Sequence, residues 1–390
     1  MEIRQLRAEE FDASVSLSEY AFQYKMSSES REKAKARYKP ERDWGIFEEG
    51  ELAAKFTLLP LETYIQGSSV LMGGIAGVAT WPENRRKGLV ARLLRHALEQ
   101  MNKEGRPLSF LHPFSVPFYR KFGWDLYCEY KNYTIPTSKF PAKVQTKGNV
   151  VRDKGGVELL DSLYRSFASS YNGTLVRNMD WWEHSVLDDS THYAVYYTEA
   201  GEPEGYALYK ITNKVLTIDE FVWLSLEARK GLWTFFGNHD SMITEANLKL
   251  VPSDDDLPYL LPDPRIPQEN YPYFMARIVN AKSLVEKLAF RADGAESSIL
   301  LSLSDPLAPW NEGSWRLTIS ESGQASLEPS EAGDAGHMAA CGIGTLTAML
   351  LGYKRPIDLY RGGLLEGTEG AAVWLENKVL PARTALFDFF

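Results

Sequence analysis

The chain has 390 residues, 44% hydrophobic and 24% charged, with a formal net charge of −9. At roughly 100–200 residues per domain this is two to four cores, and the composition excludes disordered and fibrous classes. Only two cysteines, Cys128 and Cys341, exclude a disulfide scaffold and any cysteine-rich metal site. The acidic balance argues against a nucleic-acid partner and favours cationic ones. No apolar run approaches the roughly 18–20 residues of a membrane span, so no membrane partner is expected. The residues after Met1 carry no apolar signal core, so the expected setting is cytoplasmic.

Residues 1–135 alternate strands and helices. An apolar-alternating run at 3–6 precedes residues 8–24, where Phe11, Val15, Leu17 and Phe22 recur at near-helical intervals. Strands are predicted at 44–47 and 52–60, joined as a hairpin by Glu-Glu-Gly-Glu. A glycine-bearing buried strand spans 70–81 and ends at Pro82. Residues 87–101 form an amphipathic helix with Leu89, Leu93, Leu94, Leu98 and Met101 on one face. A strand at 107–111, a helical piece at 118–122 ended by Gly123 and a last strand at 127–135 complete a first domain, residues 1–140.

Residues 136–152 show no period and read as a connector. A second domain, 141–274, has helices at 157–171, 181–187 and 226–240 and strands at 192–198, 205–211 and 215–223. Its order of elements resembles that of the first. Residues 252–274 hold six Pro and four Asp and read as a link to a third domain, 275–390. That domain opens on a strand at 275–280 and a helix at 281–290, followed by strands at 297–303 and 314–319 and a helix at 341–351. Its last six residues, Ala385-Leu386-Phe387-Asp388-Phe389-Phe390, are mostly apolar, whereas chain ends tend to be polar and frayed, so burial of this tail is expected. The fold class is α/β (α+β).

The most informative stretch is Val78-Ala79-Thr80-Trp81-Pro82-Glu83-Asn84-Arg85-Arg86-Lys87-Gly88-Leu89-Val90. A strand gives way to a basic, glycine-containing loop and then to a long helix. Free N–H groups and the macrodipole at a helix start attract anions. Gly88 permits close backbone approach, and three cations at a helix start are unfavourable unless an anion is bound. The bland alternative is a solvated basic turn. The loop lacks both the Gly-Lys-Ser/Thr ending of a P-loop and the three glycines of a dinucleotide fingerprint.

Strand, Arg85-x-x-Gly88-x-Val90, helix resembles the acetyl-CoA pyrophosphate loop of GCN5-related N-acetyltransferases, Gln/Arg-x-x-Gly-x-Gly/Ala, with Val90 departing at the last position. More narrowly, Arg85-Arg86-x-Gly88-Leu89 resembles the Eis (enhanced intracellular survival) family. The resemblance covers the whole chain. It implies tandem acetyltransferase domains followed by a sterol-carrier-protein-like domain, acetyl-CoA as co-substrate, acetylation of several amines, and a homo-oligomer, specifically a hexamer. Carried onto this sequence, it places the cofactor on Val78, Ala79, Thr80, Arg85, Arg86, Lys87, Gly88, Leu89 and Val90. The second domain has Glu227-Ala228-Arg229-Lys230-Gly231 at its helix start instead, so only the first domain is expected to bind cofactor.

A second segment, Phe118-Tyr119-x-x-Phe122-Gly123-Trp124, resembles the superfamily's tyrosine segment. The resemblance implies that Tyr119 is the general acid that protonates the departing thiolate; the alternative is an aromatic core cluster. An attacking amine must first lose a proton. The resemblance implies that the C-terminal carboxylate, on Phe390, takes it; the alternative is that the tail only staples the domains together. His112 is a further candidate base, weighed against a structural histidine. Glu19, Tyr20, Phe22, Tyr24 and Phe114 are candidates for the acceptor pocket. No histidines have metal-site spacing, so no metal is expected.

These features predict direct transfer of acetyl from acetyl-CoA to a primary amine of an aminoglycoside- or polyamine-like molecule in a ternary complex. Two rivals stand beside this. One is a protein that binds a lipid or apolar ligand through its third domain, with a degenerate acetyltransferase portion. The other is a protein-lysine acetyltransferase, which needs an open peptide groove.

Overall fold

The computed structural model describes residues 2–330 and 338–390. The first part contains β1 (Glu2–Gln5), α1 (Phe11–Phe22), α2 (Ser28–Ala36), β2 (Asp43–Glu48), β3 (Glu51–Ile65), β4 (Ser68–Thr80), α3 (Leu89–Lys103), β5 (Leu108–Leu111), α4 (Val116–Arg120) and β6 (Asp125–Leu126). The middle contains β7 (Glu129–Pro136), β8 (Asn149–Arg152), α5 (Gly156–Ala168), α6 (Met179–Trp181), β9 (His192–Tyr197), β10 (Pro203–Thr212), β11 (Val215–Trp223), α7 (Leu226–Gly237), β12 (Glu245–Pro252), α8 (Leu257–Leu260) and β13 (Gln268–Pro272). The last part contains β14 (Met275–Ile278), α9 (Ala281–Val285), β15 (Ser297–Ser304), β16 (Gly313–Ile319), β17 (Ala325–Pro329), β18 (Met338–Gly342), α10 (Ile343–Leu350), α11 (Pro356–Arg361), β19 (Glu366–Gly367) and α12 (Glu369–Lys378).

Three mixed sheets result, and two of them exchange a strand. The first has the order β1-β2-β3-β4-β5-β14-β6 and the second β13-β7-β12-β11-β10-β9-β8. Periodicity predicts that 127–135 closes the first domain and that 275–280 opens the third. The structure places them elsewhere: β7 pairs with β12 and β13 of the second sheet, and β14 sits between β5 and β6 of the first. β14 is buried at every position, so its pattern marks it as a core strand without naming its sheet. The third sheet, β17-β16-β15-β18-β19, packs its core against β5 and β14.

Several elements escape the periodicity reading. α2, Ser-Glu-Ser-Arg-Glu-Lys-Ala-Lys-Ala, buries no residue and therefore has no apolar stripe; its start is fixed by Ser27, whose hydroxyl accepts from the Ser30 N–H. β8 and β13 lie inside stretches that read as connectors, and Pro and polar residues at a sheet edge hide them. The C-terminal tail is buried as expected at Ala385, Leu386 and Asp388.

Candidate active site

The site grows from two strands that part. β4 pairs in parallel with β5 only over Met72–Ile75 against Leu108–Leu111 and then continues alone to Thr80. The β5 chain turns away at His112-Pro113. On its other side β4 carries a bulge: the register steps between Lys55 and Thr57, and Gly77 takes the left-handed φ of 58° that the bulge requires. Residues 76–80 therefore present backbone on an edge unpaired by β5 among the described residues.

α3 supplies the opposite wall. Leu89, Leu93, Leu94, Ala97, Leu98 and Met101 bury its apolar face, as the spacing predicts. Its first turn begins at Gly88, with φ of 75° and no side-chain cap, so the orphan N–H groups of that turn stay available. Between β4 and α3 lies a cleft of about 570 Å³. Every strand and loop residue predicted for the cofactor lines it except Lys87. Lys87 Nζ instead donates to Asn84 Oδ1 at 2.8 Å and lies 3.4 Å from Glu48. The Thr80 hydroxyl is buried in the cleft wall without a partner among the described residues. An unpaired strand edge, an orphan hydroxyl and an uncapped helix start beside Arg85 and Arg86 suit a long ligand with amides along its length and a pyrophosphate at one end. Acetyl-CoA has that chemistry.

Tyr119 on α4 is 2% exposed, its ring edge-on to Phe114 and Phe118 at 5.3 and 5.2 Å. Its hydroxyl makes no hydrogen bond among the described residues, and burial pushes its pKa up, so it holds its proton. Phe114, which packs on Tyr119, reaches the cleft lining, as does Phe22. Glu19 and Tyr20 do not; with Tyr24 they border a neighbouring depression. The Glu19 carboxylate accepts from the Met26 N–H at 2.9 Å and from Lys25 Nζ at 3.1 Å, which hold its pKa low and close the α1–α2 link. Tyr20 packs on Trp81.

The tail reaches the same strands from the other side. The Phe390 ring fills the space a Cβ at Gly74 would take, one residue before β4 and β5 part, and packs on Phe274 and Trp181 at 4.8 and 6.3 Å. Phe389 packs on His112, whose pKa burial lowers. A buried ion cluster fixes this path. Asp388 accepts from Arg177 Nε at 2.9 Å, Trp181 Nε1 at 2.8 Å and Tyr164 at 3.3 Å. Arg177 also forms a bidentate pair with Glu220 at 3.0 and 2.5 Å, and Tyr206 donates to Glu220. The Tyr273 hydroxyl donates to the Asp388 carbonyl at 3.0 Å. Sequence reasoning misses this cluster. One signal was present: Glu220 interrupts the inward series Leu216, Ile218, Val222 on β11. Its partner Arg177 is 43 residues away and gives no local sign.

Among the described residues no group of His, Cys, Asp and Glu is placed to hold a metal ion, and no helix is long and apolar enough to cross a membrane.

Residues 2–127 match one acetyltransferase (GNAT) domain family, residues 173–278 a second, and residues 281–387 the sterol carrier protein domain family. The fold and cleft thus define an N-acetyltransferase enzyme built on tandem GNAT domains. An N-acetyltransferase of Streptomyces avermitilis is 26% identical over 363 residues, 85% of this chain and 84% of that protein. N-acetyltransferase Eis of Mycobacterium tuberculosis is 23% identical over 303 residues, 72% of each chain. Among solved structures, a "Probable N-Acyltransferase" of Enterococcus faecalis V583 has a TM-score of 0.93 at 28% identity, covering 100% of this chain and 99% of that one. Eis1 of Mycobacterium abscessus shares the fold across 100% of both chains, with a TM-score of 0.84 at 20% identity. The chain thus carries two GNAT domains followed by a sterol-carrier-protein domain, and over 72% of its length it is similar to Eis.

Proposed function

We propose that the chain acetylates a primary amine of a small molecule, with acetyl-CoA in the first cleft and the amine entering from the tail side. Acetyl-CoA supplies the acetyl group and a thiolate leaving group. The Arg85–Val90 loop holds the pyrophosphate and the free edge of 76–80 orients the pantetheine amides. The Phe390 carboxylate takes a proton from the incoming ammonium, the C–N bond forms as C–S breaks, the Tyr119 hydroxyl protonates the departing sulfur, and the resulting phenolate is reprotonated by the proton that the new amide nitrogen sheds. The first domain binds cofactor, the second anchors the tail, and the third delivers it. Polyamine- and aminoglycoside-like acceptors are the class that the acidic net charge and the family resemblance favour. A cytoplasmic setting and a hexameric assembly complete the proposal, both by resemblance.

The observation that carries this reading is the tail's path. A charged latch two residues from the end holds Phe390 over β4 where the strands part. Adding two residues after Phe390 moves the carboxylate. Turnover is then expected to fall by about 10³-fold, within the usual range for a general base, with acetyl-CoA affinity unchanged. Unaltered thiol release by the extended protein would remove Phe390 from the chemistry.

A further inference from the structure

A second cavity, of about 520 Å³, lies on the face of the first sheet that carries α1 and α2. Asp180 and His184 of the second domain line part of it. Its charge runs against that of the whole chain. Arg37, Lys39, Arg42 and Lys55 line it, opposed by Asp43 and Asp180. Lys55, on β3, is 5% exposed. Its ammonium donates to Ser14 Oγ at 2.6 Å and makes no other hydrogen bond among the described residues, although it has three N–H groups. Asp43 is taken up by hydroxyls, accepting from Thr57 at 2.6 Å, Ser14 at 3.1 Å and Tyr38 at 3.2 Å. Asp180 lies 3.8 Å from Lys39 and 3.6 Å from His184. The side chains of Arg37 and Arg42 make no hydrogen bond or ion pair among the described residues.

Burial lowers the pKa of Lys55, and the nearby Asp43 carboxylate offsets this in part. Arg37 is exposed and Arg42 half-buried, so both guanidiniums are free to meet a ligand; an anion in the cavity would complement them, whereas a polycation would not. The cavity also lies beside the tail. Leu59 lines it, and Leu61, on the same face of β3, meets the Phe390 ring above Gly74. Trp181, next to Asp180, packs on Phe390.

We infer that the acceptor amine also carries an anionic group, carboxylate or phosphate, which Arg37, Arg42 and Lys55 hold while the amine reaches the tail. This rests on the proposed amine acetylation and changes its acceptor class from a pure polycation to an amine with an anion.

Two readouts on the full chain test it. The first is thiol release with matched amines: 4-aminobutyrate against butylamine, 2-aminoethyl phosphate against ethanolamine, and spermidine as the polycation. The expected result is a kcat/KM about tenfold or more higher for an anionic member, the scale of one charge-assisted hydrogen bond; the pair that shows it identifies the anion. The double variant R37A/R42A removes unpartnered side chains, so it is expected to fold. It should lose this preference and leave neutral amines within about twofold. The second readout is calorimetric titration with 2-aminoethyl phosphate and with 4-aminobutyrate, with CoA saturating the first cleft. Binding by the parent chain that R37A/R42A loses supports the site. Anion binding without acetylation of any amine would overturn the transfer reading and keep the site. Acetylation of neutral amines or spermidine with no anion preference and no anion binding would overturn the site and keep the transfer reading. Neither binding nor turnover would overturn both.

Discussion

The two acetyltransferase domains part their sheets in the same way and use the opening differently. β4 outruns β5 beyond Ile75, and β11 parts from its parallel neighbour β12 beyond Ile218 while both strands continue. The first opening holds about 570 Å³ and the second about 40 Å³. Phe387 of the tail packs into the second against Phe167 and Tyr171, and Glu220 on its wall is bound to Arg177. The helix starts differ as well. α3 begins at an uncapped Gly88, whereas the Ser225 hydroxyl caps α7 by accepting from the Ala228 N–H at 3.1 Å. Arg229, the cation nearest that start, is committed to Asp256 and Asp255 at 2.8 and 3.3 Å. One topology thus yields a cleft or an anchor according to the side chains at the split, so function lives in the site and not in the fold.

That contrast breaks or sharpens under substitution. The largest effect is expected from Tyr119→Phe in the first domain: kcat lower by about 10²-fold with unchanged acetyl-CoA affinity, read by steady-state kinetics and calorimetry. A loss confined to cofactor affinity would assign Tyr119 to packing alone. Asp388→Asn weakens the latch of the second domain while keeping its shape. We expect kcat to fall by about tenfold at constant KM for acetyl-CoA, because the anchor acts only through the position of Phe390. A changed KM with normal kcat would contradict an anchoring role. The smallest effect is expected for Ser225→Ala, which removes the α7 cap. It should cost about 1 kcal/mol in denaturant unfolding and leave cofactor binding and turnover alone.

Local signals made the first domain legible. The apolar face of α3 and the Arg85–Val90 loop are contiguous in sequence, and helical spacing alone sets which residues turn inward. The apolar tail signals burial for a similar reason, and Ala385 and Leu386 are buried, although Phe389 stays 62% exposed. The strand exchange of β7 and β14 was not legible, because alternation shows which face of a strand is buried and says nothing about which sheet takes it. Arg177 and Asp388 are 211 residues apart, and no spacing rule links them. Glu19 on α1 has a local use that no spacing rule announces: its carboxylate accepts from its own neighbours, Met26 and Lys25, and closes the α1–α2 link.

The central claim is that one domain binds the cofactor and the other does not. Calorimetric titration of the full chain with acetyl-CoA tests it most directly, with Gly88→Val as its control. A β-branched residue is strained at φ of 75°, so the variant disturbs the α3 start and nothing in the second domain. The account predicts one acetyl-CoA per chain for the parent and affinity at least about tenfold weaker for the variant. Two molecules per chain, or one bound equally well by Gly88→Val, would contradict it.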